Sequence, residues 1–235
     1  MPIGRIHVDF VDAIARIKID RPDKKNAVNL AMMRVLGSAL REAETRGCIA
    51  AVIGCVGEDF SIGRDHYESP LADPPGSTNE EWVSSAGEAF EALNAFTGIS
   101  LAAARGITFG FGCAFATAAD MCIASTTSRF AYDEVPKGFA PKLVMGGLTG
   151  RVPPRALLDL VVTGRSIDAL EGLRLGIATQ VVDAHSHEFG INDIVETLLR
   201  HNENAVRESK KFIKALVGMD NSERSKFSVT ARALT

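Results

Sequence analysis

GITFGFGCAFATAAD, residues 106–120, decides the fold. Its glycines Gly106, Gly110 and Gly112 stand where an apolar strand gives way to a turn, and the Ala-rich remainder reads as a helix over roughly 110–119. FSIGRDH, residues 60–66, has the same form, an apolar run broken at Gly63. Two such turns facing one another would aim two backbone N–H groups at a single carbonyl oxygen, as an oxyanion hole does. Main chain would then supply much of the chemistry, and side chains would matter for what is done with protons.

Around these turns the pattern is strand, helix, strand. Ile6, Val8 and Phe10 alternate with polar residues, as do Ala15, Ile17 and Ile19; a turn at Val11 and Asp12 makes a hairpin. Residues 21–26, RPDKKN, form a loop. Asn29 caps a helix with an apolar face of Met33, Leu36, Leu40 and Ala43, closed by Gly47. The apolar run 49–56 is a buried strand, so a parallel crossover follows. Residues 68–79, with three prolines, read as a loop and candidate lid, and a helix spans about 80–96. Residues 99–104, 121–124 and 129–132 are further strands, the last expected to turn Asp133 and Glu134 to opposite faces. Beyond Pro136 the pattern is mostly helical, with one extended stretch at 179–182; Lys210, Lys211, Arg224 and Lys226 fall on what read as solvated helix faces. The division is a core over 1–184 and a helical region over 185–235.

Composition narrows the function classes. A chain of 235 residues with 46% hydrophobic and 23% charged residues can bury a substantial core. The net charge of −3, with no basic stripe, argues against nucleic-acid partners. Cys48, Cys55, Cys113 and Cys122 lack metal-ligand spacing and read as structural thiols of a reducing compartment. The longest apolar stretch is too short to span a membrane, and the first residues lack a signal-peptide core, so the expectation is a cytoplasmic protein without a metal site or membrane partner.

Five segments in register resemble the crotonase, or enoyl-CoA hydratase/isomerase, superfamily. Residues 17–28 resemble its CoA-binding loop, 60–66 and 106–120 its two oxyanion segments, 129–134 its catalytic strand and turn, and 162–171 with Gly176 a later helical signature. The resemblance implies an α/β fold with a crotonase-type ββα spiral core and a helical C-terminal trimerisation region, assembled as a homotrimer or dimer of trimers. It implies an acyl-CoA thioester substrate, with CoA entering as part of the substrate and no other cofactor. The carbonyl oxygen would be held by the N–H groups of Arg64 and Phe111, with Glu134 as acid and base. Substrate contacts would come from Lys25, Ala27, Ile62, Gly63, Asp65, His66, Tyr67, Gly110, Gly112 and Ala114.

The departures from the family pattern matter as much. Family hydratases commonly hold water between two glutamates; the first position is Ala114 here, and the second is Glu134. Phe111 interrupts the family's glycine run and Arg64 replaces a small residue. One carboxylate suffices to move a proton from the α to the γ carbon, so isomerisation is favoured over efficient hydration. The competing reading is a catalytically impaired acyl-CoA binder or oligomer subunit. His66 is a supplementary candidate base, Asp65 a loop anchor or contact for adenine, and Arg21, Lys24 and Lys25 candidate partners of CoA phosphates. Asp120 reads as a structural residue at a helix end. The segment after residue 216 looks short for the family, with 222–235 adding a short stretch at most.

Overall fold

A computed structural model describes residues 4–65 and 80–232 of the chain. Strands β1 (Arg5–Val11) and β2 (Ile14–Asp20) pair antiparallel, from Arg5 opposite Asp20 to Val11 opposite Ile14. The turn is Asp12 and Ala13, both at positive φ (49° and 60°), one residue later than the sequence reading. β-Branched Val11 and Ile14 stay in the ladder, and a two-residue loop with both φ positive matches the twist of a hairpin.

Helix α1 (Leu30–Thr45) starts at Asn29, whose side chain accepts the Met32 N–H at 2.9 Å. Such a cap contributes about 1 kcal/mol. Met33, Leu36, Leu40 and Ala43 form its buried face, as the spacing requires. Strand β3 (Ala50–Cys55) is buried throughout, which is why it carries no polar alternation. Then come α2 (Glu80–Ala95), β4 (Ile99–Ala104), β5 (Ile107–Phe109), α3 (Phe111–Ala118), β6 (Met121–Ser125) and β7 (Arg129–Ala131). The remainder is α4 (Lys142–Leu148), α5 (Pro154–Thr163), β8 (Ile167–Asp168), α6 (Ala169–Arg174), β9 (Gln180–Val182), α7 (His187–Arg200), α8 (Glu203–Leu216) and α9 (Asn221–Arg232).

The main sheet has the order β1-β2-β3-β4-β6-β9 and is parallel after the opening hairpin. Residues of α1, α2 and α3 pack on one side of it. On the other, Ile191 and Val195 of α7 cover Ile14, Ile49, Val52, Leu101 and Ile123. A second sheet, β5-β7-β8, stands apart and carries the glycine turn at one end. β5, three residues between Gly106 and Gly110, and β8, two residues, show no hydrophobic period and are not visible in the sequence pattern.

Two expectations about the C-terminal region change. Lys210, read as part of a solvated helix face, is buried. Its ammonium donates to Phe96 O and Gly98 O at 2.6 Å each and meets Asp120 Oδ2 at 2.5 Å. Three acceptors satisfy its three N–H groups, which makes burial of the charge tolerable. Asp120 in turn accepts from Ser100 N and Oγ, at 2.8 and 2.7 Å. The tail after residue 216 also does more than expected: α9 has twelve residues. Asp220 Oδ1 accepts the Glu223 N–H and Glu223 returns a bond to Asp220 N, a reciprocal cap that starts a helix without a strong apolar stripe. Phe227 stacks on Phe212 of α8 at 5.4 Å.

Removing one partner of a buried ion pair leaves the other charge uncompensated. Asp120→Ala is expected to lower the unfolding free energy by roughly 3–5 kcal/mol in denaturant titrations, and adding Lys210→Met should recover part of that loss.

Candidate active site

Three stretches of chain converge below the second sheet. The segment 61–65 hydrogen-bonds on one side to the 25–28 loop, through Ile62 N to Lys25 O (2.9 Å), Val28 N to Gly63 O (2.8 Å) and Asp65 N to Val28 O (2.9 Å). On the other side Ser61 N donates to Ile107 O (3.0 Å) and Phe109 N to Ser61 O (2.9 Å). Buried Asn26, in the left-handed region that asparagine tolerates, locks the loop. Its amide donates to Val56 O and Asp59 O at 2.9 and 2.6 Å, and its Oδ1 accepts the Arg21 N–H at 2.7 Å. Ser61 Oγ donates to Asn26 O and accepts the Gly63 N–H. Sequence reasoning passed over Asn26 and Ser61; the available signal was an asparagine ending a Pro-Asp-Lys-Lys turn.

Arg21 and Asp65 form a buried ion pair at 2.5 Å across this junction. That corrects the reading of Arg21 as a phosphate partner, because its guanidinium is buried in the loop junction. Asp65 is likewise a loop anchor. Lys24 and Lys25 are exposed.

The two glycine turns meet. Gly63 has φ of 99°, and a Cβ there would fall 3.1 Å from Phe109 O and 3.2 Å from Phe111 N. Only glycine accommodates both the angle and that approach. Phe111 is the first residue of α3, where backbone N–H groups have no acceptor within the helix and the helix dipole is positive. Gly110, at φ 51°, makes the corner, its N–H donating to Ala131 O of β7 at 2.9 Å. The Phe111 ring packs against Trp82, Phe90 and Phe115, with centroids 5.3–5.7 Å away. The Arg64 guanidinium lies 5.0 Å over Trp82, so its side chain turns toward α2.

Carboxylates complete the site. A Cβ on Gly110 would stand 3.2 Å from Asp133 Oδ1 and 3.4 Å from Glu134 Oε1. Both acids therefore flank the same glycine, where the sequence reading put them on opposite faces. The reason is local: β7 ends at Ala131, and Glu134 is already in helical geometry at the head of a 3₁₀ turn, Val135–Lys137. Asp133 Oδ2 pairs with Lys137 Nζ at 2.8 Å. Glu134 Oε2 is buried with no hydrogen-bond partner. Burial pushes the Glu134 carboxyl up to about 7; its own backbone opposes the rise, the Asp133 charge adds to it and Lys137 counters it. A carboxyl that titrates near neutrality can both take and give a proton.

The remaining expected site residues are dispersed or enclosed. Ala27 and Ala114 are buried, Ala114 with no exposed surface at all, and Gly112 lies against the Ser61 backbone. Ile62 O stands 3.8 Å from the same Cβ position on Gly110. His66, Tyr67 and the candidate lid at 68–79 lie outside the described residues.

A family model described as enoyl-CoA hydratase/isomerase matches residues 9–232. A "Probable enoyl-CoA hydratase" of Mycobacterium leprae is 28% identical over 218 residues, spanning 91% of this chain and 82% of that one. Among solved structures, a Thermobifida fusca protein in complex with CoA is 26% identical with a TM-score of 0.86, covering 97% of this chain and 91% of that one. The enoyl-CoA hydratase of Mycobacterium smegmatis has the same fold, with a TM-score of 0.87 at 22% identity over 100% of this chain and 91% of that one.

The buried carboxyl has a consequence for stability. The folded-state value of about 7 lies above the usual 4.5, so the folded protein holds the proton more tightly than the unfolded chain. Stability from this group is present below 4.5 and is lost as pH rises through 7. The loss is on the order of 3 kcal/mol. Glu134→Gln removes it: the variant's denaturant midpoint is expected to exceed that of the parent at about pH 8 and to approach it near pH 5.

Proposed function

The chain belongs to the enoyl-CoA hydratase/isomerase family, and we propose that it is an enzyme acting on an acyl-CoA thioester by proton transfer beside a stabilised enolate. The thioester oxygen sits between the N–H groups of Arg64 and Phe111. Glu134, as carboxylate, takes the proton from the carbon α to the thioester. Negative charge develops on the oxygen and is met by main-chain donors and the positive end of α3. In a 3-enoyl thioester, Glu134 returns that proton to the γ carbon, and the double bond moves into conjugation. No group beyond the CoA carried by the substrate is needed for this step.

The observation that carries the reading is that Gly63 abuts Gly110 and the Phe111 N–H, while Gly110 in turn faces Glu134 Oε1. A donor of this kind typically supplies about 3–4 kcal/mol of transition-state stabilisation. A carboxyl titrating near 7 supplies both protonation states at working pH. The apolar surface of Leu158 and Val162 on α5 and Leu170 on α6, all well exposed, suits self-association into the trimer that the resemblance implies.

Incubation with 2-enoyl and 3-enoyl CoA of short, medium and long chain tests the reading. Interconversion is expected, with kcat/KM rising with pH through about 7 and then levelling, because the carboxylate form is the base. Glu134→Gln should lower the rate roughly a hundred- to ten-thousandfold. Gly63→Ala, which intrudes between Phe109 O and the Phe111 N–H, should lower it about a hundredfold or more. Binding of the thioesters without turnover, and without exchange of the α proton with solvent, would instead favour a catalytically impaired binder.

A further inference from the structure

Resting on that reading of the site, we propose that Asp133 is a second acid–base residue, holding and deprotonating the water that adds across an enoyl double bond. The argument starts from orientation. Asp133 Oδ2 is engaged by Lys137, one helical turn along the chain, in an ion pair of 2.8 Å. That contact fixes the carboxylate and leaves Oδ1 directed at Gly110, 3.2 Å from where a Cβ would stand. Glu134 Oε1 reaches the same place from the next residue, at 3.4 Å, and Ile62 O lies 3.8 Å away. Two carboxylate oxygens and a carbonyl around one bare α-carbon make a polar cup open only because residue 110 has no side chain. Water has two protons to donate, and Asp133 Oδ1 and Ile62 O can accept them while the protonated Glu134 carboxyl lies alongside.

The two acids differ in their surroundings, and the difference assigns their roles. Asp133 is paired with a cation and is partly open to solvent. Glu134 Oε2 is buried without a partner, so this carboxyl is the one that keeps a proton to deliver. Neighbouring acids with unlike environments divide general-base from general-acid work.

The step balances. Water oxygen forms a bond to the β carbon of a 2-enoyl thioester as Asp133 takes one of its protons. The π pair moves toward the thioester oxygen, and Glu134 gives its proton to the α carbon, yielding a 3-hydroxyacyl thioester. Asp133 has then gained the proton that Glu134 lost, and exchange through solvent restores both. Ala114, fully buried in α3, cannot hold water at the family's other acid position. Asp133 would supply a carboxylate beside Gly110 in its stead, so hydration becomes available as well as isomerisation.

Two reactions of the full chain separate this inference from the reading it rests on. Exchange of the α proton of saturated acyl-CoA in deuterated water reports enolate formation. Incorporation of oxygen-18 from labelled water into 3-hydroxyacyl-CoA, across short, medium and long 2-enoyl substrates, reports hydration. The parent protein is expected to show both. Asp133→Asn should lower the ratio of hydration to exchange by about tenfold or more, and Asp133→Glu should hold that ratio within about threefold. If Asp133→Asn does not fold, Lys137→Met, which releases the aspartate from its fixed orientation, should lower the ratio in the same direction. An unchanged ratio in the folded Asp133→Asn protein, or in Lys137→Met where that variant must serve, overturns the inference. Exchange without hydration in the parent protein overturns it too while leaving the enolate reading intact, and the absence of both reactions removes the two together.

Discussion

The structure depends on a short run of main-chain hydrogen bonds between Ser61 and the edge of β5. Ser61 N to Ile107 O and Phe109 N to Ser61 O set the register between two loops that are otherwise about fifty residues apart in sequence. That register places Gly63 against the Phe111 N–H, which no side chain arranges directly. Slipping it by one residue would put a side chain where Gly63 now stands and would carry the helix N-terminus away from its neighbour. The buried Asn26 and the Arg21–Asp65 pair serve the same register from behind. Their polar groups are not at the surface for ligands; they hold a bend that the backbone alone would not keep.

The site is also where the fold carries its unfavourable terms. Glu134 holds a buried oxygen with no partner, and Asp133 adds like charge beside it. Gly63 and Gly110 sit at positive φ with no side chain to contribute packing. These costs are offset elsewhere, by the α1–α2 face on the sheet, the aromatic cluster of Trp82, Phe90, Phe111 and Phe115, and the fully bonded Lys210 ammonium. A buried carboxyl oxygen without a partner at the candidate site, beside a fully bonded ammonium elsewhere, is the uneven distribution expected where local stability is given up for chemistry.

Much of the architecture was legible in the sequence because the signals were long or chemically specific. The Asn29 cap with its four-residue apolar spacing, the unbroken run of β3 and the alternation of β2 each leave one reading. The glycine turns were legible as turns, and their order along the chain carried the family. What escaped was short or decided by partners distant in sequence. Strands β5 and β8 are too brief for a period to register. Lys210 is one of three lysines in an amphipathic helix, and only its contact with Asp120, ninety residues earlier, shows that it is buried. Asp133 was misplaced because extended geometry was assumed beyond Ala131, where β7 ends; once the chain begins to coil, adjacent side chains no longer alternate.

Helix α3 is held at both ends by unrelated devices. Its first residue is placed by the contact with Gly63, and just beyond its last turn Asp120 grips Lys210 of α8. Eight helical residues span only about 12 Å and do not bend appreciably. So short a helix is stiff, and the seating of its far end, by Asp120 on Ser100 of β4 as well as on Lys210, bears on where the Phe111 amide stands. Positional steadiness at the candidate site is thus shared between a bare glycine contact at one end of α3 and a bonded Ser–Asp–Lys chain just past the other.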